Sequence, residues 1–203
     1  KIIVILRNPI ERAYSNFLHH VREGLETVED FSEALELEEY RIKNHWWWGF
    51  HYVKAGFYFE QLNRYYNQFN ESQIKVYLYD ELKENPSLLF QEIFHFLGVT
   101  SDFKPEFSTQ YNVSGTPRNK LFNQFLSQPK FINKYVKWLF PTRLRQKMRL
   151  SLKNMNLVKS EMPTGVRFHL IETYKEEIGK LEEMLQRDLS KWLFILTLGV
   201  ISN

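Results

Sequence analysis

Arg7 follows directly on the apolar run Ile2-Ile3-Val4-Ile5-Leu6 and precedes Asn8-Pro9, an N-cap followed by a first-turn proline. A strand there hands over to a helix N-terminus, the place where open α/β sheets bind ligands, so the guanidinium can reach an anion near backbone N–H groups. Ser15, eight residues on, shares with Arg12 and His19 a helix face separate from Ile10 and Tyr14. Its hydroxyl could donate to the same anion. On spacing alone, a structural salt bridge for Arg7 and a solvated Ser15 account for these residues equally well, since the pattern is less specific than a complete phosphate-loop motif.

Two further groups carry chemistry. In Ser114-Gly115-Thr116-Pro117-Arg118 a glycine lets backbone approach a phosphate closely and an arginine can form a bidentate fork with it; the plainer reading is a proline-containing surface turn. Trp46-Trp47-Trp48 is flanked by His45, His51 and Tyr52. Aromatic faces suit sugar rings or lipid bodies, with His and Tyr as polar handles, which makes Trp48, His51 and Tyr52 candidate acceptor contacts. Core and rim packing is the commoner use of such a run. Tyr79, Asp80 and Glu81 could shape a cleft at a strand end or cap the next element. Absence of cysteine excludes a thiolate metal site, a cysteine nucleophile and a disulfide. The six histidines show no ligand spacing, so no metal is expected.

The elements that must position these groups read as α/β. Ile2 to Leu6 has the unbroken β-branched character of a strand buried on both faces of a parallel sheet. Asn8-Pro9 opens a helix that Gly24 stops. Asp30 caps a second helix carrying Phe31, Leu35 and Ile42, and a helix from Gly56 carries Tyr58, Leu62, Tyr65 and Phe69. Ile74 to Tyr79 reads as a second strand, and Asn85-Pro86 starts a helix that stops at Gly98. Residues 103–119 read as loop, and Thr164 as the cap of a long amphipathic helix through Leu170, Tyr174, Ile178, Leu181 and Leu185. Strands alternating with helices imply a mostly parallel central sheet flanked by helices.

The chain has 203 residues, 43% of them apolar, and a formal net charge of +3, as expected of a single domain over 1–203. The charge is unevenly placed. Between Phe107 and Ser160 there are eleven Lys or Arg and no Asp or Glu, which leaves 16 basic against 24 acidic residues elsewhere. This basic segment, helical but interrupted over 120–160, has three readings: a solvated surface, a focusing patch for an anionic acceptor, or a peripheral membrane contact through 130–153. Nucleic acid is not expected, because no recognition motif accompanies the charge. Leu193 to Ile201 is far shorter than the ~20 apolar residues of a membrane span. No signal or spanning segment is read in the chain, and a cytoplasmic location is expected if the source is bacterial.

Leu6-Arg7-Asn8-Pro9 with Glu11-Arg12-Ala13-Tyr14-Ser15 resembles the 3′-phosphate signature of sulfotransferases of the bacterial and heparan-sulfate type, which use 3′-phosphoadenosine 5′-phosphosulfate (PAPS). The resemblance continues through Gly56-Phe57-Tyr58 with Leu62, Val76 to Leu82, Phe96 to Val99, Asn112 to Lys120 and Asp188 to Trp192. It implies a P-loop-like fold, and it implies that Arg7 and Ser15 hold the 3′-phosphate while Ser114, Gly115, Thr116, Pro117 and Arg118 form a loop closing over the phosphate and adenine. The implied reaction is transfer of a sulfuryl group from PAPS to a hydroxyl or amine of a glycan, lipid or small molecule, without a metal.

The chain departs from that family in one respect. It has no Lys-Ser-Gly-Thr-type 5′-phosphosulfate loop, and the family's His or Glu general base also lies upstream of the 3′-phosphate motif. Lys1 is not a Met and stands inside what reads as a central strand. The first strand, the loop and the catalytic residue are therefore expected upstream of Lys1, and the given chain alone is expected to be inactive. Two readings of other classes remain open: a non-catalytic nucleotide- or polyanion-binding module, and a membrane-surface interaction domain.

Overall fold

A computed structural model describes residues 1–101, 103, 115–119, 122, 144, 148, 151–152, 155–158 and 160–194. Strands β1 (Ile2–Leu6) and β2 (Ile74–Leu78) pair in parallel, Ile2 opposite Ile74 and Leu6 opposite Leu78. Because the pairing is parallel, both carboxyl ends fall on one side of the sheet. Each leads directly into a helix there, α1 (Pro9–Glu23) after β1 and α5 (Tyr79–Glu84) after β2. The sheet is less enclosed than the apolar run of β1 implies. Leu6 is buried, but Ile5 is 44% exposed, since β2 is the partner of β1 among the described residues.

The described chain forms α2 (Phe31–Glu36), α3 (Glu38–Lys43), α4 (Tyr58–Tyr66), α6 (Pro86–Leu97) and α7 (Thr164–Leu185), with a short antiparallel pair of β3 (Thr116–Pro117) and β4 (Leu157–Val158). Cap chemistry places most boundaries. The Asp30 side chain accepts from Glu33 N at the start of α2, and Asn85 accepts from Leu88 N at the start of α6. Gly24 and Gly98 end α1 and α6 at positive φ. Some boundaries differ from the sequence reading: β2 stops at Leu78 with Tyr79 already in α5, and α4 stops at Tyr66, before Phe69. The helix expected from Asp30 through Ile42 is divided at Leu37, and Thr164 is the first residue of α7 rather than its cap, because Pro163 occupies that position with extended backbone.

The chain groups into two compact units. The first comprises Lys1–Ala13, His51–Thr109 and Pro163–Asn203. Here α7 packs on α4 and buries Leu170, Tyr174, Ile178 and Leu181. The buried Glu177 accepts from Phe59 N at 2.7 Å and from Glu60 N at 3.3 Å, placing a carboxylate at the N-terminus of α4. Tyr174 donates to the Val53 carbonyl at 2.7 Å. A Cβ on Gly56 would stand 2.5 Å from the Tyr174 hydroxyl oxygen and 2.9 Å from Pro9 Cβ. Gly56→Ala is accordingly expected to displace Tyr174 and lower stability by about 1–3 kcal/mol, read as a fall in the thermal midpoint.

The second unit, Tyr14–Phe50 with Gln110–Met162, is organised around Tyr14, Phe17 and Phe31, whose rings meet at 5.0–6.3 Å. The Tyr14 hydroxyl lies 2.7 Å from Ser160 Oγ and donates to the Glu161 carbonyl. Arg41 and Glu26, both almost fully buried, form a bidentate pair at 2.8 Å.

Candidate functional site

Arg7 stands where the strand register requires, one residue past Leu6 and beside the start of α5, with its guanidinium 5.4 Å from the centre of the Tyr79 ring. It forms no ion pair among the described residues. Two N–H groups of the helix start beside it are already taken up. Asn8 Oδ1 accepts from Ile10 N at 2.9 Å and from Glu11 N at 3.3 Å, and Pro9 has no N–H. At this helix start the Asn8 side chain thus takes up the Ile10 and Glu11 N–H groups, and Arg7 offers its side-chain donors beside them. Asn8 Nδ2 is itself anchored, donating to the Trp192 carbonyl at 3.1 Å.

Arg12, on the first turns of α1, adds a second cation to the same unit. One of its terminal nitrogens donates to the Tyr52 carbonyl. Its Nε is buried without a partner. The nearest acid in sequence, Glu11, is bound by Arg167 at 2.7 Å and does not neutralise it. Burial raises the Tyr58 hydroxyl above its ordinary pKa, opposed by Arg12 and Arg7, so it stays a neutral O–H donor at physiological pH. Neither Arg12 nor Tyr58 was picked out as a ligand contact from sequence. The available signal was Arg12 on the polar face of α1; its bond to the Tyr52 carbonyl, forty residues away, had none.

Ser15 lies half-buried on α1, in the second unit. Ser114 lies outside the described residues. Thr116 and Pro117 form strand β3, and Arg118 is exposed, its N–H bound to the Asn156 carbonyl at 2.6 Å. Asn119 N donates to Asn156 Oδ1, and Asn156 Nδ2 returns to the Asn119 carbonyl. This reciprocal amide pair pins the backbone of 118–119, which makes the buried Asn156 a positioning residue that the sequence reading passed over. Gly115 is also used locally: a Cβ there would stand 2.8 Å from the Val158 carbonyl oxygen. Its missing side chain admits the neighbouring strand β4.

All three tryptophans of the aromatic run are exposed, and they differ in what they lean on. Trp48 is 67% exposed, whereas Trp47 leans on His20 and Phe50, and Trp46 packs edge-on to Phe50 with Arg41 over its ring. His20 is held neutral by burial, which lowers its pKa. In the first unit His51 is half-buried with Nε2 unpartnered, and Tyr52 is fully buried. Tyr52 packs in the interior and offers its carbonyl to Arg12, so the acceptor contact expected of its side chain is not one an external molecule reaches. Glu81 serves as a cap, accepting from Leu78 N at 2.7 Å while pairing with Arg187. Among the described residues no group of three or more His, Asp or Glu could hold a metal.

The decisive comparison is a match of the sulfotransferase-domain family model to residues 1–124, which include β1, α1, β2 and α6. The chain belongs to the sulfotransferase family. A crystal structure of a sulfotransferase from Alicyclobacillus acidocaldarius superposes with a TM-score of 0.67 at 28% identity, covering 95% of this chain and 57% of that one. This sulfotransferase-family chain thus spans little more than half the length of that structural relative. No curated protein matches it. Its α/β architecture and the parallel strand pair that carries Arg7 agree with the family's P-loop-like fold.

Proposed function

We propose that this chain binds the 3′-phosphate end of PAPS, and that the whole protein transfers a sulfuryl group from PAPS to a hydroxyl or amine. The single observation that carries this reading is the Arg7 guanidinium at the carboxyl end of β1, without a carboxylate partner among the described residues and with Arg12 in the same unit. A partly buried cation without a counter-charge is costly, and a phosphate relieves that cost through short charge-assisted hydrogen bonds. Arg7, with Arg12 in its unit, fits a phosphate, and Ser15 and Arg118 are proposed as further contacts on the ground of the family resemblance.

PAPS, when bound, supplies a sulfuryl group activated by its phosphate leaving group. The contribution of this chain's residues is to fix the nucleotide so that the sulfur is presented in one orientation, which is the main task in transfers of this type. The chain has no Lys-Ser-Gly-Thr-type loop, so it is proposed to bind and not to transfer by itself. Trp48, exposed and flat, and His51, with its free Nε2, remain the proposed acceptor contacts, suited to a glycan or a lipid. The basic residues of 130–153 are proposed to draw an anionic acceptor or an anionic membrane surface; all of them lie outside the described residues. Among the described residues no helix is long and apolar enough to cross a membrane.

Calorimetric titration tests the nucleotide reading directly. Adenosine 3′,5′-bisphosphate is expected to bind at least about tenfold more tightly than adenosine 5′-phosphate, because the site's donors are matched to the 3′-phosphate. Equal affinities, or no binding of either, would overturn it.

A further inference from the structure

We propose that the turn Arg187–Trp192 is a clasp across the carboxyl edge of the sheet, which fixes Arg7 in its phosphate-binding orientation and so strengthens the preference for a 3′-phosphate over a 3′-hydroxyl. The inference rests on the nucleotide reading above and gives a role to Asp188-Leu189-Ser190-Lys191-Trp192, a motif that reading leaves unused.

The parallel register puts the ends of β1 and β2 side by side, Leu6 opposite Leu78, with Arg7 and Asn8 following the one and Tyr79 to Glu81 following the other. The turn bonds to both junctions. After β1, the Trp192 carbonyl accepts from Asn8 Nδ2 at 3.1 Å, while Asn8 Oδ1 accepts from Ile10 N and Glu11 N, so both polar atoms of that side chain are fixed. After β2, the Arg187 guanidinium pairs with Glu81, whose Oε2 accepts from Leu78 N at 2.7 Å.

Arg7 lies between these anchors. The strand ladder holds the residue before it and Asn8 the residue after it, and its guanidinium lies 5.4 Å from the centre of the Tyr79 ring, two residues from Glu81. An arginine ordered in this way before the ligand arrives gives up less conformational entropy on binding. The clasp is itself held firmly. Trp192 is 4% exposed and packs edge-on against Tyr58. Its N–H donates to the Leu189 carbonyl at 2.8 Å, and Leu189 N donates to Glu182 Oε1 at 2.6 Å, which fastens the turn to the end of α7. Asn8, Glu81 and Arg187 are on this account positioning residues, none of which has to touch the nucleotide.

The test is the ratio of affinities for adenosine 3′,5′-bisphosphate and adenosine 5′-phosphate, measured by calorimetric titration in Asn8→Ser and Glu81→Gln, with Arg7→Ala in parallel. Serine keeps an oxygen for the start of α1 and lacks the donor to Trp192; glutamine keeps an oxygen for Leu78 N and lacks the charge that holds Arg187. Each is expected to lower the bisphosphate affinity about fivefold, the effect of one lost hydrogen bond, with the affinity for the monophosphate unchanged. Glu81→Gln discriminates by sign. Loss of a negative charge would by long-range electrostatics alone tighten the bisphosphate, whereas loss of the clasp weakens it. A ratio unchanged or raised in either variant overturns the proposal, as does equal weakening of both nucleotides, the mark of a merely structural role. If the proposal fails in this way while Arg7→Ala abolishes the preference, the nucleotide reading stands. If Arg7→Ala leaves the preference intact, both fail. Should Asn8→Ser not fold, Glu81→Gln decides alone by the same ratio.

Discussion

Arg7→Ala is expected to weaken the binding of adenosine 3′,5′-bisphosphate by about a hundredfold or more, with the thermal midpoint nearly unchanged. Both halves of this expectation follow from where Arg7 sits. It lies past the last paired residue of β1, its described contact is the face of the Tyr79 ring, and it makes no ion pair among the described residues, so little of the fold depends on it. In the complex it would face a dianion in a half-buried position. Truncating one partner of such a charge pair costs about 2–5 kcal/mol, and each 1.4 kcal/mol is a factor of ten. Arg7→Lys is expected to recover only part of the loss, because an ammonium cannot reproduce the planar fork. Calorimetric titration together with thermal melting checks both halves. A large loss of affinity with an equally large fall in the midpoint would show that Arg7 is structural.

Arg41→Ala is expected to produce the largest stability loss of any single substitution considered, about 3–5 kcal/mol, measured as a fall in the urea midpoint at constant slope. The Arg41 and Glu26 side chains are 2% and 1% exposed and meet through two 2.8 Å hydrogen bonds. Glu26 Oε1 also accepts from Thr27 N and Val28 N, so the same carboxylate shapes the turn after α1. On the other side, the guanidinium lies 5.3 Å from the Trp46 ring centre and 5.1 Å from that of Phe50. Removing the arginine leaves a buried carboxylate without its counter-charge and the Trp46 segment without its support. Arg41→Met combined with Glu26→Gln keeps an oxygen for Thr27 and Val28 and removes both charges. That pair is expected to cost less than Arg41→Ala alone. If it costs as much or more, the pair is valued for its shape and not for charge compensation.

These two arginines show how unevenly the sequence reports on its fold. Arg7 is legible because its neighbours are local: an apolar strand before it, a capped helix after it. Arg41 is invisible by the same standard. It sits in a charged stretch, Glu38-Glu39-Tyr40-Arg41, that reads as a solvated helix face, and the partner that buries it is fifteen residues away. Tyr52 misleads in the opposite way. Its place beside three tryptophans and two histidines suggests a binding surface, yet the chain turns it fully inward.

The sequence by itself determined the local elements and the motif. Caps at Asn8, Asp30 and Asn85, stops at Gly24 and Gly98, and the strand-to-helix passage at Arg7 depend on interactions within a few residues, which spacing encodes directly. The tertiary structure alone decided which polar groups are spent and which are free. Asn8 takes up the Ile10 and Glu11 N–H groups, Gly115 yields to the Val158 carbonyl, Asn156 pins the strand beside Arg118, and Arg12 meets the Tyr52 carbonyl. Hydrogen-bond partners distant in the chain are set by packing, and a donor's availability to a ligand is what packing leaves over.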